Sequence, residues 1–511
     1  MSIVSYPGLT LRGLNVNPPT PSDVPRSPHV LGPLCGGRIL CRRSAIETMA
    51  AILRDEPAPL DAPSNLSAIV TRCLRKSPAS RFQTMNEVRA AFEQATADSG
   101  DARAEEGFWV AVLPFRYSGA NAELTALAEC LTEDVVAGLC RFSYLRVVSL
   151  SVTSRYAHEA LDVRSAGKEL GARFVMEGSL RQAGTSLRIA AQLVDATSGA
   201  HLWAETYERP FLPEAVFEIQ DDVVPRIVST VADTRGVLPR SMSEALRNKD
   251  LDQMSPYEAV LRSFAHFQRV TAEEHAPARA GLERAVQLAP GNADCWAMLS
   301  LVVKEEYTHG FNLRPDPLGR AFAAAQRAVE AAPSNHLAYH ALASVLYFRR
   351  EFQAFRSAAE RAIALNPMDG FTIAYLGFLT AYAGEWERGC ALVERAQSLN
   401  PHHPGWYWFA HFFNAYRKCD YRDAVQIGLK INMPGFWRTN FALAAAYGQL
   451  GEMEAARSAL RALVALRPDF ALVAREEVAK WWDPELVEHL IDGLRKAGLE
   501  IAGERVAETG S

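Results

Sequence analysis

Prolines recur through the second half of the chain at Pro333, Pro367, Pro401, Pro434 and Pro468, in steps of 34, 34, 33 and 34 residues. A fixed period of this length constrains the fold tightly, because it calls for one supersecondary unit repeated and stacked on its copies. Pro290 precedes Pro333 by 43 residues, one period plus an insertion of nine, placed around 304–318. Five of these six prolines follow an alanine-rich helical stretch: LERAVQLAP, AQRAVEAAP, AERAIALNP, VERAQSLNP and LRALVALRP, while Pro434 closes a degenerate unit in Met433-Pro434-Gly435. Ala285, Ala328, Ala362 and Ala396 each stand five residues before their proline, where two helices must approach closely. Proline cannot extend the helical hydrogen-bond ladder, so each one ends a helix pair and the next pair opens just beyond it.

These closures, together with openings such as Cys295-Trp296 and Ala338-Tyr339, resemble the tetratricopeptide repeat over about six units spanning 255–470. The resemblance implies an all-α superhelical solenoid that holds a protein or peptide partner in its concave groove. The family lines that groove with set positions of each first helix. Carried onto this sequence they include Tyr347, Phe371, Phe378, Trp408, Phe412 and Phe441, an aromatic groove with few charges. Aromatic anchors dominate binding energy, so the expected occupant is an apolar peptide or helix. The competing expectation is that the chain's own C-terminal helix, near 484–497, or a neighbouring domain fills the groove. Residues 471–511 are expected to cap the array and end in a tail.

Residues 107–235 read differently. FWVAVLPF (108–115) is a buried-strand signal, AELTALAECLTEDVVAGLCRF (122–142) an amphipathic helix, and LRVVSL (145–150) a second strand. DVRSAGKELGA (162–172) is a helix with Asp162 as N-cap and Gly171 as C-cap. Two β-stretches then flank a hairpin turn at Ala183-Gly184, and 216–233 closes the unit as a helix holding Pro225. The order βαβαββα predicts a small mixed α/β domain. Val112-Leu113-Pro114-Phe115, Glu177-Gly178-Ser179-Leu180-Arg181 and Gln192-Leu193-Val194-Asp195, with Gly199-Ala200-His201-Leu202-Trp203, resemble the TolB-like domain of bacterial multidomain regulators. In such regulators this domain sits between an N-terminal signalling or DNA-binding module and tetratricopeptide repeats. Glu177-Gly178-Ser179-Leu180-Arg181 is not a nucleophile elbow, which needs glycines at 177 and 181. His201, beside Trp203 and Glu205, reads as a strand histidine after a Ser198-Gly199 turn. Residues 236–254 read as a linker.

Residues 44–95 resemble the extreme C-terminal end of bacterial serine/threonine protein kinases. The resemblance rests on Arg72-Cys73-Leu74-Arg75-Lys76, Pro78 and Arg81-Phe82-Gln83, with Thr84 capping a second helix. No G-x-G-x-x-G, H-R-D-x-x-x-x-N or D-F-G occurs in the chain, so the nucleotide loop, catalytic aspartate and metal-binding aspartate of a kinase are missing. The expectation is a kinase remnant, the chain being the later portion of a longer gene. Residues 1–43 are proline-rich and aperiodic and 96–106 are a polar linker, neither expected to fold alone.

Composition narrows the function classes. The net charge of -5 offers no basic face for nucleic acid at the level of the whole chain, and 1–100 lacks a helix-turn-helix with a basic recognition helix. The eight cysteines are scattered, with neither C-x-x-C nor zinc-ligand spacing, which fits a reduced compartment. No signal-peptide pattern or run of membrane-spanning length is seen. The sequence therefore predicts a cytoplasmic multidomain chain without catalytic residues, metal or cofactor and without a nucleic-acid or membrane partner. It is expected to act as an interaction or sensory module, with a kinase-regulator remnant and the sensory half of a transcriptional regulator as alternatives.

Overall fold

The computed structural model describes residues 108–157, 162–211 and 216–501, with further positions between 64 and 91. The chain divides into two units, 1–106 and 107–511. In the first, helix α1 (Ser64–Cys73) is followed by a 3-10 turn at Pro78–Ser80. Arg81 donates from Nε to the Arg75 carbonyl at 2.6 Å, and the Thr84 hydroxyl accepts from the Glu87 amide at 3.2 Å, an N-cap bond. The Arg72 guanidinium lies 4.2 Å from the Phe82 ring centroid. Most of 44–95, and all of 1–43 and 96–106, lies outside the described residues.

The second unit begins with a six-stranded mixed sheet. Strands β1 (Trp109–Val112) and β2 (Arg116–Tyr117) precede helix α2 (Ala122–Leu139), whose Leu124, Leu127, Leu131 and Val135 form a fully buried stripe. LRVVSL gives only a short β3 (Arg146–Val147), because the chain turns into helix α3 (Leu150–Thr153). Helix α4 (Val163–Leu170) ends at Gly171 in the left-handed region; Asp162 occupies the N-cap position without a side-chain bond. Strands β4 (Phe174–Ala183), β5 (Ser186–Asp195) and β6 (Ala200–Pro210) follow.

The predicted second β-stretch is thus two strands. Asp195 Oδ1 accepts from the amides of Thr197 and Ser198 at 2.9 and 3.1 Å, and Gly199 adopts φ +76°, which folds β6 back along β5. Sheet order is β3-β1-β4-β5-β6, with β1 parallel to β3 and β4, β2 parallel to β4, and the last three strands antiparallel. Helix α5 (Val216–Ala232) packs against α2 with Pro225 inside it. The expected linker 236–254 is instead ordered, as helix α6 (Val237–Ala245) and a 3-10 turn at Leu251–Gln253, with Leu238 and Met242 buried.

Six helix pairs then stack: α7 (Pro256–Arg269) with α8 (Ala272–Leu288), α9 (Ala293–His309) with α10 (Pro317–Ala331), and α11 (His336–Phe348) with α12 (Phe352–Leu365). They continue with α13 (Gly370–Tyr382) and α14 (Trp386–Leu399), α15 (Phe409–Arg417) and α16 (Tyr421–Ile431), and α17 (Trp437–Leu450) and α18 (Met453–Leu466). Helices α19 (Phe470–Ala479) and α20 (Pro484–Lys496) close the array. The chain therefore carries a tetratricopeptide-like helical solenoid. Its helices start where short polar side chains satisfy free amides: Asn292 on Cys295, Asn335 on Ala338, Asp369 on Thr372, and Ser255 in a capping box with Glu258. Ala285, Ala328, Ala362 and Ala396 are all buried. At Gly377 and Gly389 the helices α13 and α14 come closer still: a Cβ on Gly389 would lie 2.3 Å from the Ala381 amide nitrogen. The inserted residues lengthen α9 and form the loop 310–316.

The sheet and the first repeats share one core. A single cluster runs from Val110, Leu131 and Phe174 through Val228 and Phe264 to Met298 and Val345. Tyr144 meets the Phe264 ring edge-on at 4.8 Å and donates from its hydroxyl to the Ala232 carbonyl at 2.6 Å. Ser143 Oγ bonds Asp294 at 2.7 Å, and Asn335 bonds the same carboxylate at 2.6 Å. A second cluster fills repeats three to six and the closing helices. Among the described residues no helix is long and apolar enough to cross a membrane.

Candidate functional site

The concave side of the array narrows to a half-open chamber of about 530 Å³. One wall comes from α13, where Phe371, Tyr375, Phe378 and Tyr382 recur on one helical face. Phe371 and Tyr375 stack at 6.3 Å and 11°, and Trp406 stands edge-on to Phe371 at 5.8 Å and 76°. Phe409 and Phe413 of α15 continue the wall, with Met433 and Phe436 from the turn before α17. Opposite lie the α7–α8 turn (267–271) and Lys304, Glu305 and His309 of α9; Arg235 enters from the segment joining α5 to α6.

Trp481 and Trp482, in the turn between α19 and α20, close the chamber on another side. Tyr347 donates its hydroxyl to the Trp481 carbonyl, and Arg350 donates to the carbonyls of Ala479 and Trp482. The Arg438 guanidinium sits 4.4 Å from the Trp481 ring centroid and donates to the Thr308 carbonyl at 2.9 Å. Repeat six is thereby tied to repeat two across the concavity. Arg269 and Gly435 are exposed at the rim, whereas Lys304, Glu305, Trp481 and Trp482 are buried.

The electrostatics are lopsided. Glu305 is held by His266, Nε2 to Oε2 at 2.5 Å; burial opposes its ionisation, but the His266 charge and hydrogen bond prevail and hold the carboxyl well below the usual range. Arg269, at the rim, pairs with Glu274 at 2.5 Å. Among the described residues no carboxylate lies within 4 Å of the Arg235, Lys304 or Arg438 side-chain nitrogens. Lys304 Nζ donates to Tyr375 Oη at 2.9 Å, and burial lowers the Arg438 guanidinium to about 10. Burial also drives His309 well below its ordinary range, with Arg438 adding to the effect, so its imidazole is neutral at pH 7. The buried Nε of Arg235, Nε2 of Gln268 and indole N–H groups of Trp406 and Trp481 find no acceptor among the described residues.

Of the residues expected to line the groove, Phe371 and Phe378 line the chamber. Tyr347, Phe412 and Phe441 are fully buried in the core behind it. Trp408 is half-buried beside His403 and His411 with the Lys430 ammonium 4.7 Å from its ring, away from the chamber lining. In the fifth unit the lining positions are Trp406, Phe409 and Phe413, the last two one residue later than the expected Trp408 and Phe412. Pro404 and the 3-10 turn Gly405–Trp408 delay the α-helix and rotate its face. The groove's partial closure falls to the Trp481–Trp482 turn just ahead of α20; the adjacent tryptophans were the sequence signal for it. Among the sheet's candidates, His201 is exposed on β6, and Glu177 accepts from Gln192 across the β4–β5 ladder.

Residues 106–226 match the family model of the second domain of HilA/YgeH-like transcriptional regulators, over the stretch that reads as TolB-like in sequence. A curated relative, putative adenylate cyclase 3 of Rhizobium meliloti (strain 1021), is 32% identical over 242 residues, which are 47% of this chain and 40% of the relative. The match thus spans well under half of that relative's length. Solved structures that match include pilF of Pseudomonas aeruginosa, at 16% identity and a TM-score of 0.31, covering 45% of this chain and 94% of that one. YrrB, a TPR protein with an unusual peptide-binding site, has 16% identity and a TM-score of 0.26, covering 41% and 96%.

Proposed function

We propose that residues 108–501 form a non-catalytic sensory and interaction module of a signalling regulator, with the concave interior of the array as its recognition surface. The observation that carries this reading is the chamber itself. Buried aromatic rings and three unpaired cations converge there from the sheet junction, repeat two, repeat six and the closing turn. Evenly distributed structural packing would leave neither a hollow of that size nor charge without a counter-charge. The two matches, to a transcriptional-regulator domain and to a protein named a putative adenylate cyclase, support a regulatory setting in which such a module precedes or follows different output domains.

The test uses the full chain with a photo-crosslinking amino acid in place of Gly435, an exposed position where an added Cβ meets nothing within 4 Å. A control places the same group at Arg327 on the outer face, 69% exposed. Crosslinked partners or ligands recovered from position 435 and absent from 327 are expected. Capture at 327 alone, or ATP cyclisation or autophosphorylation by the purified chain, would sink the proposal.

A further inference from the structure

Building on the reading of the interior as the recognition surface, we infer that the chamber binds a small organic oxyanion carrying an aromatic ring. Its charged group is received by Arg235, Lys304 and Arg438, and its ring by the aromatic walls.

Size and closure come first. The volume of about 530 Å³ falls within the range of small-molecule sites. An extended peptide needs a continuous trough, and the Arg438–Thr308 bond, reinforced by Trp481, bridges the concavity where that trough would run. Charge comes second. Taking an ion out of water is costly, and a pairing of cation with ring returns only a small part of that cost. The rings beside Arg438 and Lys304 therefore offset part of the cost, and the Thr308 carbonyl and Tyr375 hydroxyl are neutral acceptors. Glu305, the carboxylate in the lining, is already engaged by His266. The missing complement is negative. Shape comes third: the stacked face of Phe371 and Tyr375, with Trp406 edge-on, presents flat surfaces of the kind that select a planar ring over an aliphatic chain.

The experiment titrates the full chain with three probes by calorimetry, following Trp406, Trp481 and Trp482 fluorescence in parallel. The probes are 2-naphthalenesulfonate, the neutral 2-naphthalenemethanol and the ringless methanesulfonate. The aromatic anion is expected to bind at least tenfold more tightly than either control. Lys304→Met and Arg235→Gln should each weaken it tenfold or more while leaving 2-naphthalenemethanol within twofold, circular dichroism confirming that they fold. Should one variant fail to fold, the other variant and the wild-type selectivity still decide. Equal affinity for the neutral and anionic naphthalenes overturns the inference, as does anion binding unchanged in a folded variant. Tighter binding of an acidic aromatic tetrapeptide than of 2-naphthalenesulfonate overturns it in favour of a peptide site. If the probes fail while crosslinking from position 435 persists, the ligand class alone is wrong; if both fail, so is the reading of the interior.

Discussion

Phe264→Ala tests whether the sheet and the first repeats are energetically one body. Phe264 sits in α7, fully buried, with its ring 4.8 Å from that of Tyr144, which reaches over from the sheet. Truncating a buried phenylalanine costs about 3–5 kcal/mol, from lost transfer free energy and the residual cavity. A urea m-value of about 3 kcal/mol/M is a floor for a unit this large, so the midpoint should fall by at most about 1–1.7 M. The size of that shift is less informative than where it is felt. Hydrogen exchange read by mass spectrometry should show β4 and β5 amides losing as much protection as those of α7 and α9, because all four elements contribute to the same cluster. If the strands keep their wild-type protection while α7 and α9 lose theirs, the shared core does not couple them and the reasoning fails.

Two further outcomes follow from the packing. Burial, then the nearby Asp369 charge, raises the Asp233 carboxyl to about 8. Its folded form thus holds a proton that the unfolded chain, with an ordinary value of 3.8, releases, so this group's contribution to stability falls as pH rises from about 4 to about 8. The slope from this group is at most about 1.4 kcal/mol per pH unit; Asp233→Asn should flatten it in denaturation curves taken across that window, and an unchanged slope would contradict the assignment. Gly389→Ala drives a methyl group into the Ala381 backbone and should lower stability by about 1–3 kcal/mol in thermal melts, whereas a neutral effect would mean that α13 and α14 separate freely.

Much of the array was legible because its signals are local and periodic. Proline spacing and the alanines five residues before four of the prolines act within one helix pair, so Ala285, Ala328, Ala362 and Ala396 mark close helix packing that the structure keeps. The chamber was legible only in part. Phe371 and Phe378 lie on a stripe readable from helical spacing, but Tyr375 and Tyr382 share that face and fall on neighbouring positions of the repeat register. Pro404 shifts the fifth unit by a residue, an offset that a fixed register does not anticipate. Arg235, Lys304 and Arg438 meet only after six helix pairs have curved, and nothing in their sequence neighbourhoods marks them as companions. The segment 236–254 read as a linker because it is short and polar, yet Leu238 and Met242 anchor it to the core.

That anchored segment has a practical consequence for anyone who wants to cut, graft or shuffle this protein. A boundary at 236–254 would separate two folds by appearance but sever one hydrophobic interior, leaving Tyr144 and Val228 bare on one piece and Phe264 on the other. The sheet and the early repeats are therefore a single heritable cassette, and fusions meant to pass a signal from this module should leave 108–501 intact and be joined outside it.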